Sequence, residues 1–376
     1  MDAMQHLHAS ASHFRRCHVS DIDSAIKRTI ETRSPEEARM PGLLARAACT
    51  VVATVFFFPA LARAEVDVVK IPKGAGGVGF LPLVVMEEKK LVELEAQKMG
   101  IKLGAEYIRF GGPAVVNDML LSGNAHFAPA GPPAFITLWD KTSSNMKVKG
   151  VAAMTSIPMY LNTNAPHLKS LHDLTANDKI AITAVKVSIP AIIMQMAALK
   201  EFGKADYAHY DPYTVSLTHP DGVIAMLSGK SEITAHFTSP PFHQRERKDP
   251  KIRTITTSNE IMGAPSTFTM LYAPQKFHDE NPKAYAAVLK ALQAAIDFIN
   301  ADKKAAAEVY LQSEEGKGWK MDDLMQVLND PDVRFTTSPE SVMTYANFMA
   351  DVGSIKNRPK TWQEMFFPDI HGVKGD

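Results

Sequence analysis

The chain has 376 residues, and its 41 Lys plus Arg are matched by 41 Asp plus Glu. That balance excludes the strong basic field needed by a protein that works on nucleic acid or an anionic membrane surface. The two cysteines, Cys17 and Cys49, both fall in the first 64 residues, so nothing beyond them can mispair in an oxidising compartment.

Residues 1–39 are polar, carry four histidines and show no apolar periodicity. They read as the product of a start codon assigned too early, with Met40 the true start, or as a disordered tail. From Met40 the pattern changes. Arg46 gives a short basic start, Ala47 to Leu61 is apolar, and Ala62-Arg63-Ala64 supplies the small-x-small pattern of a cleavage site, leaving Glu65 as the first mature residue. The run is shorter than the roughly twenty residues needed to cross a bilayer, and it lacks the polar stripe of a core helix. Residues 40–64 are therefore read as a cleaved signal peptide and the product as periplasmic. Cys49 precedes the apolar run, and Arg46 stands where lipid attachment wants an aliphatic residue, so a free protein is expected. Beyond residue 64 the chain carries 33 Lys plus Arg against 35 Asp plus Glu. About 310 residues remain, enough for two lobes each with its own core.

Strand-like and helix-like stretches then alternate, as in an α/β fold with mostly parallel strands. Val66 to Ile71 is a strand, followed by a glycine-rich turn and one helical stretch from about Phe80 to Lys98. A strand at Glu106 to Phe110 leads through Gly111-Gly112-Pro113 into a helix from Ala114 to Leu121, and a third strand covers Ala125 to Ala128. Val148 to Leu161 is extended. A second set begins with a strand at Lys179 to Ala184 and a helix from Ser188 to about Phe202, and continues through strands at Ile233 to Phe237, Ile252 to Thr257 and Ser266 to Ala273. The C-terminal part is helical over Pro282 to Asn300, Lys303 to Leu311, Asp322 to Leu328 and Pro339 to Asp351. In the first of these, Tyr285, Val288, Leu289, Leu292, Ile296 and Ile299 recur at helical spacing.

An internal echo links the two sets. Met119-Leu120-Leu121-Ser122-Gly123 precedes Phe127 and Gly131-Pro132-Pro133-Ala134-Phe135. Met226-Leu227-Ser228-Gly229 precedes Phe237 and Ser239-Pro240-Pro241-Phe242. Each is an apolar helix closed by glycine, then a short strand, then a small residue and two prolines opening the next helix. Two such units about a hundred residues apart imply two similar lobes.

Lys73-Gly74-Ala75-Gly76-Gly77-Val78-Gly79 contains a formal G-x-G-x-x-G, but the second strand ends Tyr107-Ile108-Arg109-Phe110 with no carboxylate for a ribose. The segment reads as a glycine-rich turn exposing helix amides toward a cleft, and no cofactor is expected. Ser188, before Ile189-Pro190, is a helix cap whose free amides suit an anion with Lys186 nearby, or an ordinary cap. His236 is either a ligand contact or a satisfied structural histidine. No metal-ligand spacing, nucleophile elbow or Walker sequence appears.

Four segments, FGGPAVVNDMLLSGNAHFAPAGPPAF, TSIPMYLNTNAPHLKSLHDLTANDKIAITAVKVSIPA, HPDGVIAMLSGKSEITAHFTSPPF and FHDENPKAYAAVLKALQAAIDFINADKKAAAEVYL, together resemble the substrate-binding proteins of nitrate, sulfonate and taurine-type ABC importers. The resemblance implies an α/β type II periplasmic-binding-protein fold with two hinge crossovers, lobe 1 at about 65–156 plus 266–376 and lobe 2 at about 157–265. It implies cleft loops at Gly76-Gly77, Gly111-Gly112, Ala130-Gly131, Ser188-Ile189 and Thr238-Ser239, with Ser156 at a crossing. Lys73, Arg109 or Lys186 would neutralise an anionic ligand. The implied protein is a non-enzymatic monomer serving an inner-membrane permease and its ATPase. The alternatives are a thiamine-pyrimidine-synthase-like enzyme or pyrimidine binder of the same fold, and a nicotinamide-dependent oxidoreductase.

Overall fold

A computed structural model of the protein describes residues 65–74, 76–109 and 113–376. The proposed signal peptide and residues 1–39 lie outside the described residues, as do Gly111 and Gly112.

Strand β1 (Val68–Lys73) pairs in parallel with β2 (Gly104–Arg109), from Val68 opposite Gly104 to Lys73 opposite Arg109. On its other side, the amides of His126 and Phe127 donate to the Lys70 carbonyl at 3.0 and 3.3 Å. These bonds bring β1 beside β3 (Ala128–Ala130), and β3 is the edge of a four-stranded sheet. In that sheet β10 (Thr267–Pro274) runs antiparallel to both β3 and β4 (Val148–Ser156), with β11 (Arg334–Phe335) outside β4. The strand order is therefore β2-β1-β3-β10-β4-β11.

The second sheet repeats the plan. β5 (Tyr160–Thr163), β6 (Ile180–Ile182), β7 (Thr214–Ser216), β8 (Ala235–Thr238) and β9 (Arg253–Thr257) lie in the order β7-β6-β8-β5-β9. β6 is parallel to β7 and β8, and β5 is antiparallel to β8 and β9. In each sheet the antiparallel member is the strand that has just arrived from the other sheet, β5 after β4 and β10 after β9. The two passages lie side by side: Ser156 is paired with Thr267, and its hydroxyl donates to the Ser266 carbonyl at 3.1 Å.

Helix Pro282–Ala301 packs on helices Leu81–Glu88 and Leu91–Lys98 through the buried face Ala284, Tyr285, Ala287, Val288, Ala291, Leu292, Ala295, Ile296 and Ile299. Alanines at every turn of that face let the helices approach closely. Several boundaries differ from expectation, the first two strands by about two residues at an end, and three of the differences bear on the packing. The stretch Phe80 to Lys98 is two helices, broken where Lys90 takes a left-handed φ of 51°. The third strand lies two to three residues later than expected. The last long helix begins at Val342 because Ser341 is also left-handed, and the Val342 and Met343 amides donate to the Asp376 carbonyl oxygen. The main apolar core runs across both sheets: one buried cluster holds Phe127, Phe135 and Tyr272 from one sheet's side and Ile180, Ile182 and Phe237 from the other, while a smaller one gathers Ala181, Met226, Ile233 and Ile252. Ile157, Ile189 and Phe268 belong to the main cluster at the seam between the sheets.

Candidate functional site

The loops at the strand ends meet face to face across that seam. Gly76 and Gly77 both sit at φ 92°, a region that L side chains rarely occupy. The Gly77 amide donates to the Tyr310 hydroxyl at 3.1 Å, which ties the turn to helix Lys303–Gln312. A Cβ on Gly77 would stand 3.2 Å from the Phe242 ring and 3.3 Å from the Pro240 carbonyl oxygen. A Cβ on Gly131 would fall 2.6 Å from Ile189 Cδ1. The fold thus brings Gly76 and Gly77 to the loop after Thr238-Ser239, and Gly131 to Ile189. Ala130 lies buried in β3 opposite Met270.

Other selected residues serve elsewhere. Ser188 occupies the N-cap position of helix Ile189–Phe202, but its hydroxyl donates backward to the Ala184 carbonyl at 2.6 Å and accepts no helix amide. The helix beginning at Pro132 has prolines in its first two positions, which removes two of the amides an anion would need. Lys186 is exposed and left-handed, at φ 67°, and lines none of the seam pockets. Ser156 is buried at the crossing, where it also accepts from Arg334 at 3.2 Å. Lys73 is buried in ion pairs with Glu87 and with Glu315, the latter at 3.1 Å.

His236 is fully buried, with Nδ1 against Glu246 Oε1 at 2.6 Å and Nε2 against His219 Nδ1 at 3.1 Å. Asn162 donates to the other Glu246 oxygen at 2.8 Å and accepts from Thr254. His243 stacks on Tyr160 and faces Asn162 Oδ1 at 3.2 Å. Burial first, then the charge of His236, lowers the His219 pKa well below its usual value. This network is a satisfied polar core under the second half's seam loop, so His236 takes its structural reading.

One end of the seam opens into a pocket of about 450 Å³, within the range of small-molecule sites. Its first wall is the glycine turn, Arg109 and the loop carrying Glu314, Glu315, Lys317 and Trp319; its second is Thr218, Pro220, Val223, Ile224, Phe242 and Arg245. Arg109 Nη2 pairs with Glu315 at 3.1 Å, and Lys317 pairs with Glu314 at 2.5 Å. Burial pushes the Glu315 carboxyl up, but the Lys73 hydrogen bond, its own backbone amide and the charges of Lys73 and Arg109 outweigh it and hold it below its usual range. Glu315 Oε2 is buried without a partner. Arg245 has no carboxylate within ion-pair reach among the described residues. Its guanidinium lies 5.7 Å from the centre of the Trp319 ring, and Trp319 meets Phe242 edge-on at 5.6 Å. The sequence reading missed Arg245, Glu315 and Trp319. The run Ser313-Glu314-Glu315-Gly316-Lys317-Gly318-Trp319, with two glycines between charges and an aromatic, was the available signal. A smaller hollow of about 150 Å³ lies against Asn117, Asp118, Leu121 and Val187, on the helix that the echo pairs with His219–Ser228. A larger one of about 670 Å³ beside β11 and the C-terminal residues contains none of the selected residues.

Two sheets of one plan, exchanging a strand each at adjacent crossings and facing each other by their loop ends, define the type II periplasmic-binding-protein fold. The chain belongs to the NMT1-like family, whose pattern matches residues 77–312. Among solved structures it is similar to the alkanesulfonate-binding protein SsuA of Xanthomonas axonopodis pv. citri bound to MOPS, at TM-score 0.62 and 13% identity over 80% of this chain and 98% of that one. The periplasmic aliphatic sulphonate binding protein SsuA of Escherichia coli gives 0.58 at 13% identity, over 81% and 98%. The periplasmic nitrate-binding protein NrtA of Synechocystis PCC 6803 gives 0.53 at 16%, over 70% of each. At these identities the likeness is one of fold. No curated protein matches the chain by sequence.

Proposed function

We propose that the protein is an exported solute-binding protein of an ABC importer. Residues 65–156 plus 266–376 form one lobe and 157–265 the other, and they close over a small solute that is passed unchanged to a permease and its ATPase. The observation that carries this reading is the pocket whose two walls come from opposite sheets, so that a solute there touches both halves at once. A solute that touches both binds the closed arrangement better than the open one and shifts the equilibrium between them. The solute-binding neighbours of the same fold support the same role. Among the described residues no helix is long and apolar enough to cross a membrane, and residues 40–64 would act as the cleaved export signal.

A thermal-shift panel of sulfonates, carboxylates, nitrate and pyrimidines tests the binding role. A solute that binds only the folded state at a hundred times its Kd adds about 2.7 kcal/mol of stability, so one class should raise the melting temperature. Conversion of a bound solute into another compound by the purified protein would refute it. Export is tested by cell fractionation, where a mature protein beginning near Glu65 is expected in the periplasmic fraction.

A further inference from the structure

We infer that His236 is a positioning residue of the pocket: out of the solute's reach, it spaces the two helices of the second wall through a single hydrogen shared with His219, so that acid, by adding a proton to His219, loosens the wall and releases the solute. The inference rests on the two-lobe binding role proposed above. Pro220, Val223 and Ile224 reach the pocket from helix His219–Ser228, and Phe242 and Arg245 from helix Phe242–Glu246. Both helices rest on the ring of His236, which belongs to β8 and is fully buried. Its Nε2 lies 3.1 Å from His219 Nδ1, and a Cβ on Gly222 would fall 2.5 Å from the ring, so the first helix has no room to come closer. Its Nδ1 lies 2.6 Å from Glu246 Oε1 on the second helix, and Asn162 holds the other Glu246 oxygen at 2.8 Å. None of these groups lines the pocket.

Hydrogen counting makes this spacing sensitive to pH. An imidazolium carries hydrogen on both nitrogens, and the 3.1 Å contact has room for one, so only one of the two rings can be charged. The Glu246 carboxylate favours that charge on His236, and the Thr238 hydroxyl, 3.3 Å from His219 Nδ1, can donate to the same nitrogen. Burial first, then the His236 charge, keeps His219 neutral well below its usual value. A proton forced onto it sets N–H against N–H and pushes the helices apart. The other charged groups on the elements packed here bond elsewhere: Asp221 to Thr218, His243 to Asn162, Arg247 to the Ile252 carbonyl and Arg245 to the Trp319 face. β5 and β6, on either side of β8, offer the rings only Asn162 and Ala181, neither of which titrates. Closure sets the sign. Phe242 packs 5.4 Å from the His219 ring and is covered from the first lobe by Trp319 at 5.6 Å and by Gly77. When the lobes part, that cover is lost, water reaches His219, and the desolvation that keeps it neutral weakens. The open form therefore takes the proton at a higher pH than the closed form, and affinity falls as pH drops between the two values.

Isothermal titration of the purified protein with butanesulfonate and nitrate, whose charges are fixed over this range, at about pH 7.5, 6.5 and 5.5 tests this. If neither binds, whichever solute of the thermal-shift panel raises the melting temperature takes their place. Affinity should fall about fivefold or more from the highest pH to the lowest, with up to about one proton released per solute bound at the acid end, seen as a heat that depends on the buffer. His219→Asn keeps an acceptor where Nδ1 stands and cannot take a proton, so it should flatten that profile. His172→Gln, at an exposed histidine off the pocket, should keep it. His236→Ala should weaken binding about tenfold or more at every pH. If circular dichroism shows that this variant does not fold, Gly222→Ala replaces it, since its methyl meets the same ring. Three results overturn the inference and leave the two-lobe role standing: an affinity that holds between those pH values, a His219→Asn profile parallel to that of the unaltered protein, or unchanged affinity in the folded His236→Ala or Gly222→Ala protein. If no solute of any class binds or compacts the protein, that role falls and the inference with it.

Discussion

Lys73 shows how burial reassigns a side chain selected for its charge. Placed before a glycine turn it looks like a ligand's counter-ion, yet the fold leaves it 6% exposed between Glu87 and Glu315. Removing it leaves Glu87 without its partner and Glu315 with Arg109 alone, and breaking a buried pair in this way costs about 3 kcal/mol. Lys73→Met should lower the urea-unfolding free energy by that much, and a loss under about 1 kcal/mol would show that the carboxylates find other partners. His243 sets a pH dependence. Burial, then the Arg247 charge, lowers its pKa from 6.5 to about 4. As pH falls the unfolded chain takes up the proton first, so the stabilisation held above about pH 6.5 is lost progressively toward pH 4 and no further below it. Replacing it, as His243→Gln, should flatten the melting-temperature profile between those values, whereas a profile parallel to that of the unaltered protein would contradict the assignment.

At the scale of elements, the seam is built from glycines whose missing side chains let one loop reach another. Gly131→Ala pushes a methyl into Ile189, at a cost of about 1–3 kcal/mol for overpacking, and Ile189→Ala vacates that space. The double variant should therefore be more stable than the sum of the single effects. Additivity within about 0.5 kcal/mol in denaturant unfolding would mean that the two loops do not touch. What the sequence disclosed here was local. The echo of Met119–Phe135 in Met226–Phe242 announced two sheets of one plan, and the spacing of Tyr285, Val288, Leu292, Ile296 and Ile299 announced the long helix. What it hid depended on distant partners. Lys89-Lys90 reads as helix because lysine is a good helix former, and only the backbone turn at Lys90 breaks it. The loop of Glu315 and Trp319 reaches the pocket because the Tyr310 hydroxyl accepts the Gly77 amide from 233 residues away, and Gly316 leaves no room for a Cβ against the Tyr310 carbonyl. Ser188 looked like a cap by position, but its hydroxyl prefers a carbonyl four residues back, a choice that spacing does not encode.

For the whole molecule, the adjacent crossings at Ser156 and Ser266 and the direct meeting of Gly77 with Phe242 describe two halves already in contact. Arg334, bonded to Ser156 Oγ at 3.2 Å and to Glu340 at 2.5 Å, braces the first crossing from outside the seam. Arg334→Ala should therefore loosen the passage without touching the pocket, seen as faster amide exchange around Ser156 with solute affinity changed less than about threefold (roughly 0.6 kcal/mol). The central claim is that one solute draws both halves together. Small-angle scattering of the purified protein, first solute-free and then with whichever solute raises its melting temperature, measures this directly. The account predicts a smaller radius of gyration on binding; stoichiometric binding that leaves the scattering curve unchanged would contradict it.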